Sequence, residues 1–428
     1  MTASHGLRAI PTEDRAWLMA ALGDALNGGA PVLPVPGGQF EDEAVLALQQ
    51  AELPEGTAVV VRTSGSSGVP KSVALSAAAL RAGAEATHVR LGGAGQWLVA
   101  LPAHLISGLQ MLVRSEVAGI APRFFPTAEG FDPGRLLEEA EHLEAERRYV
   151  SLVPVQFSRL LDLAEQDRDA ADALRRFDAV LVGGQAVPLL MRRRAFELGV
   201  PLKRTYGMTE TAGGCVYDGV EIGDTRVRIR EGEVQLAGPS LALGYVGDPE
   251  LTAERFIEDR DRDGTATRWY RTGDAGELLG GMLTVTGRLD RVVISGGINV
   301  SLDEVERVVR DFDGWSSAVA VGAQHPEWGE RVSLVVEADP GAVASPEPVE
   351  GGERPARGRA ATRASFDEVS AAVRDRLGVA AAPVWATETD SIPRLAGGKP
   401  DVRAVEEWLE RLRASFRETR IAAGEEQE

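Results

Sequence analysis

A single cysteine in 428 residues, Cys215, excludes an intrachain disulfide and a cysteine cluster for zinc, as expected in a reducing compartment. Nowhere does an unbroken apolar run reach the ~18 residues that a spanning helix needs, and Met1 to Ile10 has no apolar signal core. The sequence is therefore expected to have no membrane span and to be cytoplasmic. Positive charge is also in deficit. A net charge of -19 argues against nucleic-acid binding, which needs a basic face, but not against small anions held by a few local donors. Lysine is scarcest of all: Lys71, Lys203 and Lys399 are the only three among 46 basic residues. Coding bias accounts for the excess of arginine. It does not account for where the lysines remain, since a compact ammonium suits a tight phosphate or carboxylate site that a guanidinium does not.

What is present is ordinary globular material, 44% hydrophobic and 26% charged, long enough for more than one domain. From Ala58 to Thr205, short β-branched runs (Ala58 to Arg62, Trp97 to Leu101, Val150 to Val153, Ala179 to Val182, Leu202 to Thr205) alternate with helical stretches at Ala77 to Val89, Pro133 to Arg147 and Pro188 to Leu198. This predicts an α/β domain with mainly parallel sheets flanked by helices. After Gly213 short strands with turns (Arg226 to Arg230, Glu233 to Ala237, Leu283 to Thr286) predict a β-rich subdomain. The domain boundary is placed at residue 290, giving an N-terminal domain over 1–289 and a small α+β C-terminal domain over 290–428. In the latter, Ser301 should cap a helix to Val309 with Glu304 completing a capping box, followed by strands Ala318 to Val321 and Val332 to Glu337 and helices Phe366 to Leu377 and Val402 to Arg413. Residues 339–365, rich in Pro, Gly, Arg and Glu, read as a disordered insertion.

The sharpest local signal is Thr63-Ser64-Gly65-Ser66-Ser67-Gly68-Val69-Pro70-Lys71, after a strand and before a helix that opens near Ser76. Small residues let backbone N–H groups approach phosphate oxygens, hydroxyls add donors, and Lys71 supplies a point charge. It is not the P-loop of NTPases, because Pro70 precedes the lysine where that motif has glycine, and proline has no N–H to give.

The loop resembles the signature of the acyl-adenylate-forming superfamily, and further segments are similar in the same order. Gly183-Gly184-Gln185 resembles the adenine-side loop. Tyr206-Gly207-Met208-Thr209-Glu210 resembles the segment that stacks adenine on its tyrosine, touches the α-phosphate with its threonine and holds magnesium with its glutamate. Asp274 falls where the family binds the ribose hydroxyls, Arg288 at the ribose-contacting arginine, Asp290 at the hinge, and Lys399 at the catalytic lysine of the C-terminal loop. The resemblance implies a mobile C-terminal domain and an enzyme that uses ATP, Mg²⁺ and coenzyme A, with Lys399, Lys71 and Thr209 as its catalytic residues. Ser295 departs from the pattern, standing where many relatives carry lysine.

The acid is expected to be set by less regular segments, Leu101 to Gln110 with Val113-Arg114-Ser115 and Thr211 to Gly219, which resemble most the o-succinylbenzoate-CoA ligase family. Gly207, Gly213 and Gly214 are expected to leave a flat slot for an aromatic ring, His104 and Ser107 to border it, and Arg114 to partner a second carboxylate. The alternatives stay open: His104 as an ordinary pocket histidine, Arg114 as a solvated residue, and a different acid or a carrier-protein acceptor. Cys215 reads as a small buried apolar residue, and His5, His88, His142 and His325 as surface. The short stretch before Thr63 favours a compact aromatic acid, with a sheet covered by dimerisation to a homodimer.

Overall fold

In the computed structural model, residues 6–63, 71–126, 130–260, 264–325, 327–338, 363–395 and 397–412 are described. The expected insertion at 339–365 lies outside them except for its last three residues. The chain falls into two compact units: one holds the chain up to Val187, Met191–Val285 and residues 396–398, the other Pro188–Leu190, Thr286–Leu395 and the chain from Lys399.

The first unit is built on a seven-stranded sheet in the spatial order Val220–Glu221, Gly213–Tyr217, Leu202–Met208, Ala179–Gly183, Arg148–Leu152, Gln96–Val99, Arg123–Phe124. The last five are parallel. Helices cover both faces, which is why these strands are apolar without alternation. Trp97, Val99, Tyr149 and Leu181 pack towards Leu18, Leu22, Leu80 and Leu109. Leu98, Val150, Val180 and Val182 point the other way, to Phe157, Leu160, Leu161 and Ala164 on the helix Pro154–Gln166. Their spacing of three and four residues puts all four on one helix face. The helix expected over Pro133 to Arg147 ends at Glu141, because Arg148–Leu152 must begin the next strand.

Thr57–Thr63 does not join this sheet. It runs beside Val32–Val35 and pairs antiparallel with Lys71–Ser76 in a separate five-stranded sheet that also contains Arg8–Pro11 and Gly244–Tyr245. Ser76 then caps the helix Ala77–Arg90, its hydroxyl accepting from Ala79 N at 3.1 Å. The β-rich part is an antiparallel sheet of Arg226–Arg230, Glu233–Ala237, Ala266–Leu279 and Phe256–Arg260, with Met282–Arg288 on Ala266–Leu279. Gly280 and Gly281 turn that last hairpin with φ of 58° and 80°, a conformation other residues adopt only with strain.

The second unit has the sheet Ile298–Ser301, Val292–Ser295, Gly329–Glu337, Val319–His325, with Trp385–Thr389 parallel to Gly329–Glu337. Val332, Leu334 and Val336 pack with Val305, Val309, Val369 and Val373 of the helices Leu302–Val309 and Phe366–Leu377. Val319, Val321 and Val335 face Val405 and Leu409 of the helix 402–412. Ser301 caps its helix through Glu304 N at 3.3 Å, but the Glu304 carboxylate lies 3.5 Å from Arg307 and does not return to the cap. A complete capping box forms instead at Ser365 and Glu368.

Candidate active site

Strands Ala179–Gly183 and Leu202–Met208 run side by side in parallel, so the segments after them leave the same carboxyl edge, where open α/β sheets bind ligands. Gly183 has no room for a side chain, since a Cβ would stand 2.2 Å from Thr205 Oγ1; Gly184 turns the chain away with φ +81°, and Gln185 is half-buried. At Gly207 a Cβ would lie 2.1 Å from the Gly213 carbonyl oxygen, so only glycine lets this strand close on Gly213–Tyr217. Between them Thr209–Thr211 forms a single 3₁₀ turn. The Thr211 hydroxyl ties it shut, accepting from Met208 N at 3.0 Å and donating to Gly213 O at 2.8 Å. Thr209 is buried and Glu210 half-buried at the mouth of this turn.

Two groups expected on the adenosine side meet directly. The Tyr206 hydroxyl donates to Asp274 Oδ2 at 2.7 Å. Burial, with the Asp274 charge beside it, pushes the Tyr206 phenol well above its ordinary range, so it remains a donor. Asp274 is itself steadied by the Thr272 hydroxyl at 2.9 Å from its amide N. On the phosphate side, Thr63 and Lys71 face each other as the last pair of an antiparallel hairpin. The loop joining them, with Ser64, Gly65, Ser66, Ser67 and Gly68, lies outside the described residues. A strand, not a helix, therefore receives Lys71, whose ammonium sits 5.7 Å from the centre of the Tyr245 ring. The hydroxyl of that same tyrosine donates to Glu210 Oε1 at 2.9 Å.

Among the described residues no group of three His, Cys, Asp or Glu side chains converges on a metal position. The donor set that Glu210 offers is a single hard carboxylate, which fits magnesium: this ion keeps several waters and takes one or two carboxylates plus nucleotide phosphates.

The acid-side residues come from the helix Ile106–Ala118 and the turn before it. His104 is half-buried, and burial, reinforced by Arg62 and opposed by Glu13, holds its pKa below the ordinary value. Ser107 is exposed. Arg114 is not solvated: it is 4% exposed, lies 4.7 Å from the Trp97 ring centre and donates to the Tyr217 hydroxyl at 3.2 Å. Among the described residues its Nε has no hydrogen-bond partner and no carboxylate pairs with it. Because Arg114 only donates and the Thr87 hydroxyl gives its hydrogen to Gly83 O at 2.8 Å, Tyr217 must donate onward to Thr87 at 3.0 Å. His88 is half-buried beside this chain and held below its ordinary pKa by burial and the Arg114 charge, which corrects its assignment to the surface.

At Gly213 a Cβ would stand 2.9 Å from Gln110 Cγ, and at Gly214 2.9 Å from Tyr217 Cε1, so both glycines admit close packing of a neighbouring side chain. Cys215 behaves as expected: buried, with its thiol pushed up to about 12 by desolvation. The sequence reading gave no role to Tyr245, Tyr217, Thr87 and Gln110, whose partners lie far away in the chain.

In the second unit the Arg288 guanidinium holds Asp290 at 3.0 and 2.9 Å, and Arg288 N donates to Asp303 Oδ2 at 2.6 Å. Lys399 is exposed on a tight turn closed by Leu395 N to Lys399 O and by Asp401 N to Pro393 O, each 2.8 Å.

Residues 37–246 match the AMP-binding enzyme family. A probable 2-succinylbenzoate–CoA ligase of Mycobacterium tuberculosis is 37% identical over 75% of this chain and 81% of its own length. Among solved structures, E. coli MenE with bound OSB-AMS aligns with a TM-score of 0.66 and 25% identity, covering 90% of this chain and 83% of that one. The amide bond synthetase McbA from Marinactinospora thermotolerans aligns with a TM-score of 0.66 and 26% identity over 94% and 80%. With similarity extending over most of a ligase's length, the chain belongs to the AMP-binding enzyme family and is an ATP-using, AMP-forming acid–CoA ligase.

Proposed function

We propose that the chain is an o-succinylbenzoate-CoA ligase of menaquinone biosynthesis. One carboxylate oxygen of the acid attacks the α-phosphorus of ATP, the bond to pyrophosphate breaks, and the acyl-adenylate forms. The sulfur of coenzyme A then attacks the acyl carbon, AMP departs with the bonding electrons, and the thiol proton is lost. An anion approaching a polyanion needs positioned cations and N–H donors, so catalysis is mostly alignment and electrostatic stabilisation. Lys71 and the loop it ends steer the outer phosphates, Thr209 contacts the α-phosphate, and Tyr206, Asp274 and Arg288 hold the adenosine. Glu210, together with the nucleotide, would hold magnesium, which would supply positive charge against the pyrophosphate. Lys399 aligns acid and α-phosphate during adenylation, then leaves as the second domain turns about Asp290.

The observation that carries the choice of acid is Arg114, a buried guanidinium with no carboxylate among the described residues to balance it. A buried charge left unpaired is costly, and a substrate bearing a second carboxylate supplies the missing partner. The similarity to a probable 2-succinylbenzoate–CoA ligase supports the same acid. His104 and Ser107 border the acyl site in this reading. ATP-pyrophosphate exchange with o-succinylbenzoate, benzoate, salicylate and medium-chain acids tests it; silence with o-succinylbenzoate while another acid responds refutes it. A second reading keeps the adenylate and changes the acceptor. It is favoured by Ser295, which departs from the lysine of many relatives, and by the likeness to an amide bond synthetase.

A further inference from the structure

Tyr245 stands between the two oppositely charged groups of the phosphate site. Its strand, Gly244–Tyr245, is stitched to the strand that begins with Lys71: Leu243 N donates to Ala74 O and Val246 N to Ser72 O, both at 2.8 Å. On the other side, Ala242 N donates to Glu210 O at 2.8 Å. The Tyr245 backbone is pinned by the Thr252 hydroxyl at 2.9 Å, and Arg268 anchors the preceding turn through Ala242 O at 2.6 Å and Leu243 O at 2.8 Å. Its ring is 5% exposed and belongs to a stack in which Phe256 lies 5.9 Å from Tyr245 and 4.9 Å from Tyr270.

The hydrogen bonds have one consistent direction. A carboxylate can only accept, so Tyr245 donates its hydrogen to Glu210 Oε1, and its own oxygen then accepts from Tyr270 at 3.4 Å. Tyr270, Tyr245 and Glu210 thus form one hydrogen-bonded line. Above the same ring, the Lys71 ammonium sits within the ~6 Å over which a cation is attracted to an aromatic face.

We infer that Tyr245 is a positioning residue for adenylation: its hydroxyl fixes one oxygen of Glu210 so that the other is presented to magnesium, while its ring face seats Lys71 against the phosphates. This rests on the reading of Glu210 as the carboxylate that meets the metal. Fixing the carboxylate reduces the freedom lost when metal and nucleotide bind, and partners of this kind are typically worth about ten- to a hundred-fold in metal affinity.

The test uses the full chain with ATP and Mn²⁺ as the probe, bound metal being read by electron paramagnetic resonance. Tyr245→Phe removes the hydroxyl and keeps the ring. It should weaken Mn²⁺ binding about ten- to a hundred-fold while leaving ATP binding in EDTA unchanged. Tyr245→Leu, which removes the ring as well, should also weaken metal-free ATP binding by loosening Lys71. Tyr270→Phe should give a smaller shift of the same sign as Tyr245→Phe, and serves if either Tyr245 variant fails to fold. Glu210→Gln separates the two ideas. If it leaves Mn²⁺ binding intact, the reading of Glu210 fails. If it weakens binding but Tyr245→Phe and Tyr270→Phe do not, or only lower the melting temperature, the role of Tyr245 is merely structural and the inference is overturned.

Discussion

Replacing Arg114 with methionine should make the unliganded protein more stable and its choice of acid worse. In the wild type the guanidinium is 4% exposed, and its stabilising contacts are one bond to a neutral phenol at 3.2 Å and the face of Trp97 at 4.7 Å. A hydrogen bond from a charged group contributes about 1.5–3 kcal/mol and a desolvated cation over an aromatic ring about 2 kcal/mol. Against these stands a desolvation penalty of several kcal/mol with no counter-charge among the described residues to offset it. Methionine occupies similar volume without charge, and it leaves no orphan hydroxyl, because Tyr217 still donates to Thr87. The expected net change is a gain of about 1–3 kcal/mol, or roughly 2–4 °C of melting temperature per kcal/mol, read by urea and thermal unfolding. Function should move the other way. Removing one partner of a buried charge pair costs about 2–5 kcal/mol, so kcat/KM for an acid with a second carboxylate should fall about thirty- to several-thousand-fold, while a monocarboxylic aryl acid is spared. A variant that is less stable than wild type and equally impaired on both kinds of acid would refute the reasoning.

Lys399→Ala should abolish formation of the acyl-adenylate yet largely spare thioester formation from preformed adenylate, measured by pyrophosphate release and by single-turnover thioester assay; equal loss of both steps would contradict a lysine that serves one half-reaction. Cys215, with its thiol pushed up to about 12, should carry thiolate at about one part in ten thousand at pH 8 and resist Ellman's reagent in the native state, reacting in full after denaturation. His88 has a folded-state pKa below its ordinary 6.5, so the stability it confers is complete above pH 6.5 and is lost as pH falls through the folded value. His88→Gln should accordingly flatten the acid limb of a stability profile taken by urea unfolding between pH 4.5 and 7.5, and an unchanged limb would assign that sensitivity to other groups.

The strands from Trp97 to Thr205 were legible because two buried faces demand continuous apolar runs, and such runs need no knowledge of partners. The hairpin Arg226–Arg230 to Glu233–Ala237 was legible for a different reason, since the turn residues between the strands limit where pairing can begin. Sheet membership was not. Thr57–Thr63 carries the same β-branched signature as Ala179–Gly183, and only long-range pairing with Val32–Val35 and Lys71–Ser76 assigns it to a different sheet. The helix from Pro133 was overextended because acidic, helix-favouring residues continue past Glu141, while the strand that must start at Arg148 decides the outcome from outside the segment.

The same distinction governs the site. Residues embedded in glycine-rich turns, such as Gly183, Gly207 and Thr209, stand out in the sequence because the backbone itself is constrained there. Residues that act through a partner distant in sequence did not. Tyr245 lies 35 positions from Glu210, and Tyr217 lies 103 from Arg114, so nothing local marks either as more than a core aromatic. Arg114 is the instructive case, because an arginine on a helix reads by default as solvated. What changes the reading is the absence of any acidic partner among the described residues once Trp97, Thr87 and Tyr217 have closed around it. A buried cation that the described residues leave unbalanced should set stability against selectivity, and that opposition is the measurement that separates a binding residue from a packing one.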